Sequence, residues 1–261
     1  MQLGSPDRPF VFAHRGSSVA HPEHTLEAYL LAIEEGADGL ECDVRLTRDG
    51  HLVCVHDPRL DRTSDGRGRV SGHTLAELDR LDFGSWRPGV LTLSRLLSVA
   101  MDAGRPIQLL IETKHPTRYR GAVEAAVVAL LRRYGLERPD ANRSVQVTVM
   151  SFAPTAIWRF RRAVPGLPTV MLIEPPAITS RTGLLPFGCS IAGLDVQLLH
   201  SLPSLPERLH RRGNRVYAWT VNEPDDVELA VKLGVEGIIS DRPGAVLSQL
   251  RALGVRDSGT L

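Results

Sequence analysis

Short apolar runs rich in β-branched residues, separated by longer helical stretches, recur eight times along the chain and constrain its fold more than any other feature. Buried parallel strands have this near-continuous apolar character, and strands that alternate with helices form parallel sheets. Eight such units in 261 residues predict an α/β fold, a closed (β/α)8 TIM barrel that forms one domain over residues 1–261. The predicted strands are Phe10–Ala13, Gly39–Val44, Ile107–Ile111, Val145–Met150, Thr169–Ile173, Ile191–Val196, Arg215–Trp219 and Gly237–Ile239.

A further apolar run, Leu52–Val55, follows the second strand too closely for a parallel connection, because the connection at residues 47–50 is too short for one. We therefore expect it to fold back on that strand as a β-hairpin with a two-residue turn. In the resulting register Glu41 faces His56. The hairpin thus brings a histidine beside an acidic strand.

The three cysteines, at positions 42, 54 and 189, are odd in number and lack close paired spacing. This favours neither a disulfide framework nor a thiolate metal site. In the predicted hairpin register Cys54 faces Asp43, so that Cys42 and Cys54 lie on opposite faces of the sheet, which argues against their pairing. We expect all three to be small core residues.

The first helix has a regular apolar repeat with i, i+3, i+4, i+7 spacing, formed by Leu26, Tyr29, Leu30 and Ile33. Thr25 is positioned to cap its start and Gly36 to end it. This spacing predicts a helix that packs the repeated residues against the barrel. At the other end of the chain, residues 256–261 are expected to form a frayed tail.

Residues 57–89 interrupt the alternation of strands and helices with a stretch rich in Gly, Arg, Asp and Ser. Only one piece, near Leu75–Leu81, looks helical. A loop of this length in a compact barrel is more often functional than accidental. We therefore expect residues 57–89 to form a small insertion over the open end of the barrel.

Acidic side chains lie at the carboxyl ends of two predicted strands, where catalytic groups are found in such barrels. Glu41 and Asp43 are two residues apart, so both leave the same face of their strand, and Glu112 ends the next strand of the barrel. Inward-facing carboxylates repel one another unless a cation lies between them. Their oxygen ligands predict Mg²⁺ or Ca²⁺, or else Mn²⁺, rather than zinc. The alternative is a structural network in which the acids pair with basic residues, namely Arg15, Arg45 or Lys114.

His14 and His56 are the predicted proton-transfer pair, because the unperturbed pKa of histidine lies nearest neutrality. A lone histidine is more often structural, but two near the same acids favour catalysis. Arg15 and Lys114 would supply positive charge to a phosphoryl group, although Arg15 could instead be a surface loop residue. Trp219 ends a strand, where an aromatic ring is as often barrel core as part of a ligand pocket.

Several of these residues belong to a series of short motifs that spans nearly the whole chain. The motifs are Ala13-His14-Arg15-Gly16, Pro22-Glu23-His24-Thr25, residues 39–50, Val55-His56-Asp57-Pro58, Leu60-Asp61-Arg62-Thr63, Thr74–Leu78, Ile111–Lys114, Ser151-Phe152, Ala218–Asn222 and Gly237–Pro243. In this order they resemble the signature of the glycerophosphodiester phosphodiesterase family. Members of that family hydrolyse glycerophosphodiesters to glycerol 3-phosphate and an alcohol.

The resemblance implies a TIM barrel with a small inserted subdomain. It also implies a divalent metal held by the matching residues Glu41, Asp43 and Glu112, and an acid/base pair formed by His14 and His56. The residues matching the family's phosphate-binding cations are Arg15 and Lys114, and the hydrophobic ring beside the site matches Trp219. A route in which the substrate's own hydroxyl attacks phosphorus before water does would use the same groups.

One residue departs from the family's pattern. His24 stands where the family usually has Asn, and its larger, titratable ring is expected to alter the loop and the pH optimum. His21 and His24, three apart in a proline-containing loop, are interpreted as a helix-entry feature rather than a second metal site. Asp57, Asn222 and Asp241 are second candidates for lining the pocket, each equally suited to capping a helix.

Charge and hydropathy exclude several classes of partner. The 31 basic and 30 acidic residues nearly cancel and form no block of like charge, which indicates neither a nucleic-acid groove nor a membrane-binding patch. Residues 1–9 lack the apolar core of a signal peptide, and no run of about 18 apolar residues occurs. We expect a cytoplasmic protein with a small-molecule glycerophosphodiester substrate, no nucleic-acid partner and no integral membrane association.

Two other functions compete with this one. A lysophospholipase D-type phosphodiesterase would use the same site but would need an apolar groove for an acyl chain, and residues 57–89 contain no apolar run to form it. A barrel that only binds a phosphorylated ligand would have no need of a proton-transfer pair.

Overall fold

A computed structural model describes residues 8–175 and 183–255. Within these ranges, each of the eight apolar runs forms a parallel strand. The strands are β1 (Phe10–His14), β2 (Gly39–Leu46), β4 (Ile107–Thr113), β5 (Val145–Ser151), β6 (Thr169–Ile173), β7 (Ile191–Asp195), β8 (Arg215–Trp219) and β9 (Gly237–Ser240), and the hairpin strand is β3 (Leu52–Cys54). The eight parallel strands close into a barrel in the order β1-β9-β8-β7-β6-β5-β4-β2, with β1 also pairing with β2, so the predicted TIM barrel is confirmed.

Helices surround the barrel and bury its outward-facing residues. In the described ranges they are α1 (Leu26–Glu34), α2 (Leu75–Leu78), α3 (Leu93–Met101), α4 (Ala122–Tyr134), α5 (Pro154–Ala163), α6 (Val196–Ser201), α7 (Leu205–His210), α8 (Pro224–Lys232) and α9 (Pro243–Ala252). None of them is both long enough and apolar enough to cross a membrane.

A floor of apolar side chains fills the inside of the barrel toward the amino ends of its strands. The rings of Phe12 and Tyr217 meet there with their centroids 5.3 Å apart. Gly39 and Gly237 make room for them, because a Cβ atom at either position would lie 2.5 Å from one of these rings. Since side chains alternate along a strand, the residues two positions further on also point inward, above this floor.

The hairpin is observed, but its predicted register is wrong by one residue. Val44 pairs with Cys54 and Leu46 with Leu52, so that the turn contains three residues rather than two. The Thr47 N–H donates to the His51 carbonyl at 3.0 Å. Gly50 adopts φ +84°, the left-handed conformation that a three-residue hairpin loop requires. His56 lies beyond the end of β3, so its position depends on the chain that follows the strand.

The same shift corrects the prediction for the cysteines. Cys42 and Cys54 lie on the same face of the sheet rather than on opposite faces. Both belong to the buried core between barrel and helices, and Cys189 is also buried. All three are free thiols.

Helix α1 begins and ends as predicted, but one residue of its apolar repeat faces solvent. Thr25 caps the helix by accepting from the Ala28 N–H, and Gly36 follows it with φ +88°. Tyr29 is fully buried, whereas Leu30 is 41% exposed. The buried face instead includes Ala28 and Ala32, which the large-residue pattern did not reveal.

Residues 57–89 contain a single turn of 3-10 helix, Val70–Gly72, and the short helix α2. Leu60, Val70 and Leu78 pack together with Val53 and Val55 of the hairpin in a small apolar cluster of their own. The segment is therefore anchored to the hairpin rather than to the main core. The predicted frayed tail at 256–261 lies outside the described residues.

Candidate active site

Strand pairing places the predicted site residues side by side at the carboxyl end of the barrel. His14 of β1 is the lateral partner of Glu41 on β2, and Asp43 of β2 is the partner of Glu112 on β4. Carboxylate oxygens of the three acids lie within 4.8 Å of one another. The sequence prediction that these acids converge therefore describes the geometry observed.

The three acids are almost completely buried: Glu41 and Asp43 are each 1% exposed and Glu112 is 6% exposed. Burial, together with the neighbouring Asp43, raises the pKa of Glu41 well above its usual value and that of Glu112 to about 8. Burial would also raise the pKa of Asp43, but the His24 hydrogen bond and the Lys114 charge outweigh it and hold that pKa well below its usual value. Burial is the first cause of these raised pKa values, and the negative charge of a neighbouring carboxylate adds to it.

Two basic side chains contact this cluster. Lys114 Nζ lies 2.7 Å from Glu112 and 3.3 Å from Asp43, and Arg15 Nε lies 3.0 Å from Asp43. The alternative of a structural network is thus partly realised, although Arg45 instead donates to the His56 carbonyl at 2.7 and 2.9 Å.

The cluster thus brings three acidic side chains together with two basic ones. The donor set consists only of buried carboxylate oxygens within reach of one another. Hard divalent cations such as Mg²⁺, Ca²⁺ and Mn²⁺ prefer oxygen ligands of this kind. The cluster is therefore compatible with a divalent metal.

His24 is built into this cluster. Its Nε2 lies 3.0 Å from an Asp43 oxygen and its Nδ1 lies 2.8 Å from the Tyr29 hydroxyl, with only 6% of the residue exposed. Its backbone has φ +61°, a left-handed conformation in which Asn and His are among the few favoured residues other than Gly. Both His and the Asn that the family resemblance implies at this position can adopt this conformation. His21 instead meets the Trp86 ring edge-on at 6.4 Å, so the two histidines do not share a site.

His14 is oriented by a carboxylate just beyond the end of β9. Its Nδ1 lies 2.7 Å from Asp241 Oδ1, which leaves Nε2 available to the pocket. Asp241 also accepts hydrogen bonds from Asn222 Nδ2 at 2.6 Å and from Ser18 Oγ at 2.8 Å. Asn222 is itself fixed, because its Oδ1 accepts from Ser240 Oγ at 3.0 Å and from the Asp241 N–H at 2.9 Å.

His56 is oriented in the same way, but by the residue that follows it. Its Nδ1 lies 2.7 Å from Asp57 Oδ1, and Asp57 Oδ2 accepts from Arg62 Nε at 2.6 Å. Burial lowers the pKa of His56, and although Asp43 acts in the opposite sense, the charges of Lys114 and Arg15 add to the decrease. The ring is therefore neutral near pH 7, the form that accepts a proton.

A pocket of about 330 Å³ joins these groups to an apolar wall. On that wall the Trp219 and Phe152 rings meet edge to face, 5.3 Å apart, and Trp219 Nε1 donates to the Gly193 carbonyl at 3.0 Å. Lys114 Nζ lies 5.7 Å from the Phe152 ring centre. The pocket thus has a charged side and an aromatic side.

The sequence prediction missed several residues of this pocket. They are Phe152, His115 and Glu174, each just beyond the end of a barrel strand. All three share the position that located Glu112, the carboxyl end of a barrel strand, but a single aromatic, histidine or glutamate there is a weak signal. Asp57, Asn222 and Asp241, kept as second candidates, contact the two histidines or hold the carboxylates that do.

Comparisons with known proteins agree with this geometry. Residues 14–245 match the model of the glycerophosphoryl diester phosphodiesterase family. "Probable glycerophosphodiester phosphodiesterase 1" of Mycobacterium tuberculosis is 48% identical over 247 residues, which cover 90% of each chain. The glycerophosphodiester phosphodiesterase of Bacillus subtilis is 34% identical over 256 residues, covering 92% of this chain and 86% of that one.

A solved structure gives a further match. The phosphodiesterase of Oleispira antarctica in complex with the product sn-glycerol-3-phosphate superposes with a TM-score of 0.79 at 27% identity, covering 94% of this chain and 97% of that one. Both the sequence and the arrangement of the barrel therefore lead to the same assignment. The chain belongs to the glycerophosphoryl diester phosphodiesterase family and is an enzyme of that class.

Proposed function

We propose that this enzyme hydrolyses small glycerophosphodiesters to glycerol 3-phosphate and an alcohol, with His14 and His56 as the acid/base pair. The observation that carries this proposal is the convergence of two oriented imidazoles, two cations and a buried acidic cluster on one pocket of about 330 Å³, which Glu41 and Glu112 line and beside which Asp43 lies. The product bound in the Oleispira antarctica relative supports the glycerol 3-phosphate half of the substrate.

Each side of the pocket has its own task. Arg15 and Lys114 bind the phosphoryl oxygens, since burial would lower the pKa of each group but the surrounding carboxylates outweigh it and raise both values, which keeps them cationic. Trp219 and Phe152 form the wall against which carbon atoms of the substrate pack. A divalent cation on Glu41, Asp43 and Glu112 would stabilise the negative charge that develops on the phosphoryl oxygens.

The reaction needs two proton transfers. A water oxygen forms a bond to phosphorus while the bond from phosphorus to the alcohol oxygen breaks. One imidazole takes the proton that the water loses, and the other donates a proton to the departing oxygen. His14 and His56 both line the pocket, and each has its Nδ1 engaged by a carboxylate, so Nε2 is the nitrogen that exchanges protons.

The direct test is product formation. Purified protein with Mg²⁺, Ca²⁺ or Mn²⁺ is expected to release glycerol 3-phosphate from glycerophosphocholine and glycerophosphoethanolamine, measured by a coupled dehydrogenase assay. A chelator should abolish the activity, and readdition of the cation should restore it. Absence of glycerol 3-phosphate with every cation would contradict the proposal, and preferential cleavage of lysophosphatidylcholine would favour a lysophospholipase D-type enzyme.

The proposed metal ligands are tested by Glu41→Ala. This change removes one of the three carboxylates, so metal binding measured by calorimetry and activity should be lost together. Glu207→Ala is the matched control, because the Glu207 side chain is 70% exposed on the outer surface. Full activity with the first variant would dismiss the assignment of Glu41 as a ligand.

A further inference from the structure

Arg62, in the segment 57–89, contacts two carboxylates that serve different parts of the pocket. Its Nε donates to Asp57 Oδ2 at 2.6 Å, while Nη1 and Nη2 donate to the two oxygens of Glu23 at 2.6 and 2.8 Å. The side chain itself is 50% exposed and does not line the pocket. The planar guanidinium thus uses three donors on two acids in a fixed geometry.

The first of these acids controls His56. Asp57 Oδ1 accepts from His56 Nδ1 at 2.7 Å, so the position of the carboxylate decides which ring nitrogen carries the proton. Asp57 lies just beyond the hairpin strand, where β3 pairing has already ended. Its other oxygen is held by Arg62.

The second acid controls Arg15. Glu23 Oε1 accepts from Arg15 Nη1 at 3.1 Å, and Arg15 Nε faces Asp43 at 3.0 Å. Arg15 has φ +58°, a conformation that residues other than Gly rarely adopt. Glu23 and Asp43 together aim the guanidinium at the pocket.

We propose that Arg62 is a positioning residue that couples His56 to Arg15 through Asp57 and Glu23, so that the segment 57–89 completes the arrangement of the active site. This inference rests on the proposed roles of His56 and Arg15 in phosphodiester hydrolysis. The chain of contacts runs His56, Asp57, Arg62, Glu23, Arg15, and each contact measures 3.1 Å or less. Arg62 is the one member of this chain that comes from the interior of the inserted segment.

A neighbouring arginine provides a matched control. Arg59 lies in the same segment, is 56% exposed and forms two hydrogen bonds to Asp61 at 3.1 Å. That pair holds the segment locally but does not contact Glu23, Asp57 or a pocket residue. A general loss of order in the segment would affect Arg59→Gln and Arg62→Gln alike, whereas coupling of the site depends on Arg62 alone.

The kinetic test compares these two variants with glycerophosphocholine as substrate. Arg62→Gln is expected to lower kcat about 10-fold or more through His56 and to raise KM several-fold through Arg15, because both groups lose their alignment. Arg59→Gln should stay within about 2-fold for both constants, as expected of an exposed ion pair. Arg62→Lys keeps the charge but not the fork, so it should fall between the two. Thermal melting confirms that each variant is folded.

Chemical rescue and double variants separate positioning from a structural role. Guanidinium ion at millimolar concentration should restore part of the activity of Arg62→Gly, because the site is half exposed. Asp57→Asn combined with Arg62→Gln should cost less than the product of the two single losses, since both act through the same contact. Equal kinetics for Arg62→Gln and Arg59→Gln, or fully multiplicative losses, would overturn the proposal.

A spectroscopic measurement tests the coupling independently of turnover. Long-range ¹H–¹⁵N spectra of the histidine rings, with the His56 signals assigned by comparison with His56→Gln, should show His56 protonated at Nδ1 and a shift toward the Nε2 tautomer in Arg62→Gln. An unchanged His56 signal would overturn the inference even if the enzyme is active. An inactive wild-type protein in which that shift occurs would instead refute the proposed function while supporting the coupling.

Discussion

The two imidazoles of the pocket make the same hydrogen bond in different surroundings. Both use Nδ1 to contact a carboxylate at 2.7 Å. Behind His14, Asp241 is held by the neutral donors Asn222 and Ser18. Behind His56, Asp57 is held by the cation Arg62, whose side chain is half exposed.

Asp241 and Asp57 therefore orient their imidazoles in the same way but differ in the negative charge that they place beside the ring. An ion pair with arginine neutralises much of the charge of Asp57, whereas neutral donors leave the full negative charge of Asp241 beside its ring. The His14 arrangement is part of the barrel, because its members belong to β1, β9 and the loops that follow β1, β8 and β9. The His56 arrangement depends on the inserted segment. One imidazole is therefore fixed by the fold itself and the other by an accessory piece of chain.

The largest expected effect tests whether both imidazoles are needed. His14→Ala and His56→Ala should each lower kcat by about 10² or more, the usual size of a lost general acid or base, while metal binding is retained. His51→Ala, a change at a half-exposed histidine of the hairpin turn, serves as the control and should have no effect. If either catalytic variant kept its full rate, the two rings would not form a pair.

The second largest effect should show that the same substitution, Asp to Asn, lowers kcat more at Asp241 than at Asp57. In Asp241→Asn the new amide must turn its oxygen toward Asn222 Nδ2, so its NH2 group meets His14 Nδ1 and imposes the wrong tautomer. We expect a loss in kcat of about 10².

Asp57→Asn should cost only about 10-fold, because the exposed Arg62 can move and let the amide oxygen face His56. Steady-state kinetics of both variants, with Asp61→Asn as the control in the same segment, measures the difference. Equal losses for the two variants would show that the surroundings of the carboxylate do not matter.

A smaller effect is expected on stability in acid. Burial acts to raise the pKa of Asp241, but hydrogen bonds from His14, Asn222 and Ser18 outweigh it and hold the pKa well below 3.8. A carboxyl group whose pKa is lower in the folded than in the unfolded state stabilises the fold above about pH 4. This stabilisation is lost as the pH falls toward the folded-state pKa. Asp241→Asn should therefore lower the free energy of unfolding by on the order of 1–2 kcal/mol at pH 7 and by less at pH 3. Urea unfolding at the two pH values checks this, and a difference that does not change with pH would contradict it.

The smallest effect concerns a single donor. Ser18→Ala removes one hydrogen bond to Asp241 but leaves the one from Asn222, so kcat should fall only about 2- to 5-fold, the equivalent of about 1 kcal/mol or less. A loss as large as that of Asp241→Asn would show that Ser18, rather than Asn222, fixes the carboxylate.

Much of the fold could be predicted from the sequence, because burial on both faces of a parallel strand leaves a strong apolar signal. The eight barrel strands and the hairpin are of this kind. The register was not predictable in the same way, since it depended on whether Gly50 would adopt φ +84° and lengthen the turn by one residue. Cys42 and Cys54 consequently lie on the same face of the sheet, whereas the sequence analysis had predicted opposite faces.

The site residues at the ends of strands were predictable from the sequence. The residues that only hold or orient another side chain of the site were less predictable. Glu41, Asp43 and Glu112 follow from strand alternation and neighbouring strands alone. The contact between His24 and Asp43 depends on a loop with a left-handed residue, and the link from Arg62 to Glu23 joins positions 39 residues apart. No local pattern encodes such contacts. The roles of all these residues in turnover, the cytoplasmic location and the single-domain organisation stay predictions.

The rings of Phe12 and Tyr217, tilted by 35° to one another, fill the barrel below the pocket. In the part of the chain that the structure describes, the pocket therefore opens on the opposite side, and substrate, water and products would share that entrance. In the proposed reaction, glycerol 3-phosphate carries the same phosphoryl group as the substrate, and it would leave past Arg15 and Lys114 by the route along which the next molecule arrives. We therefore expect the departing product to compete with incoming substrate, and competitive inhibition by glycerol 3-phosphate would be its kinetic signature.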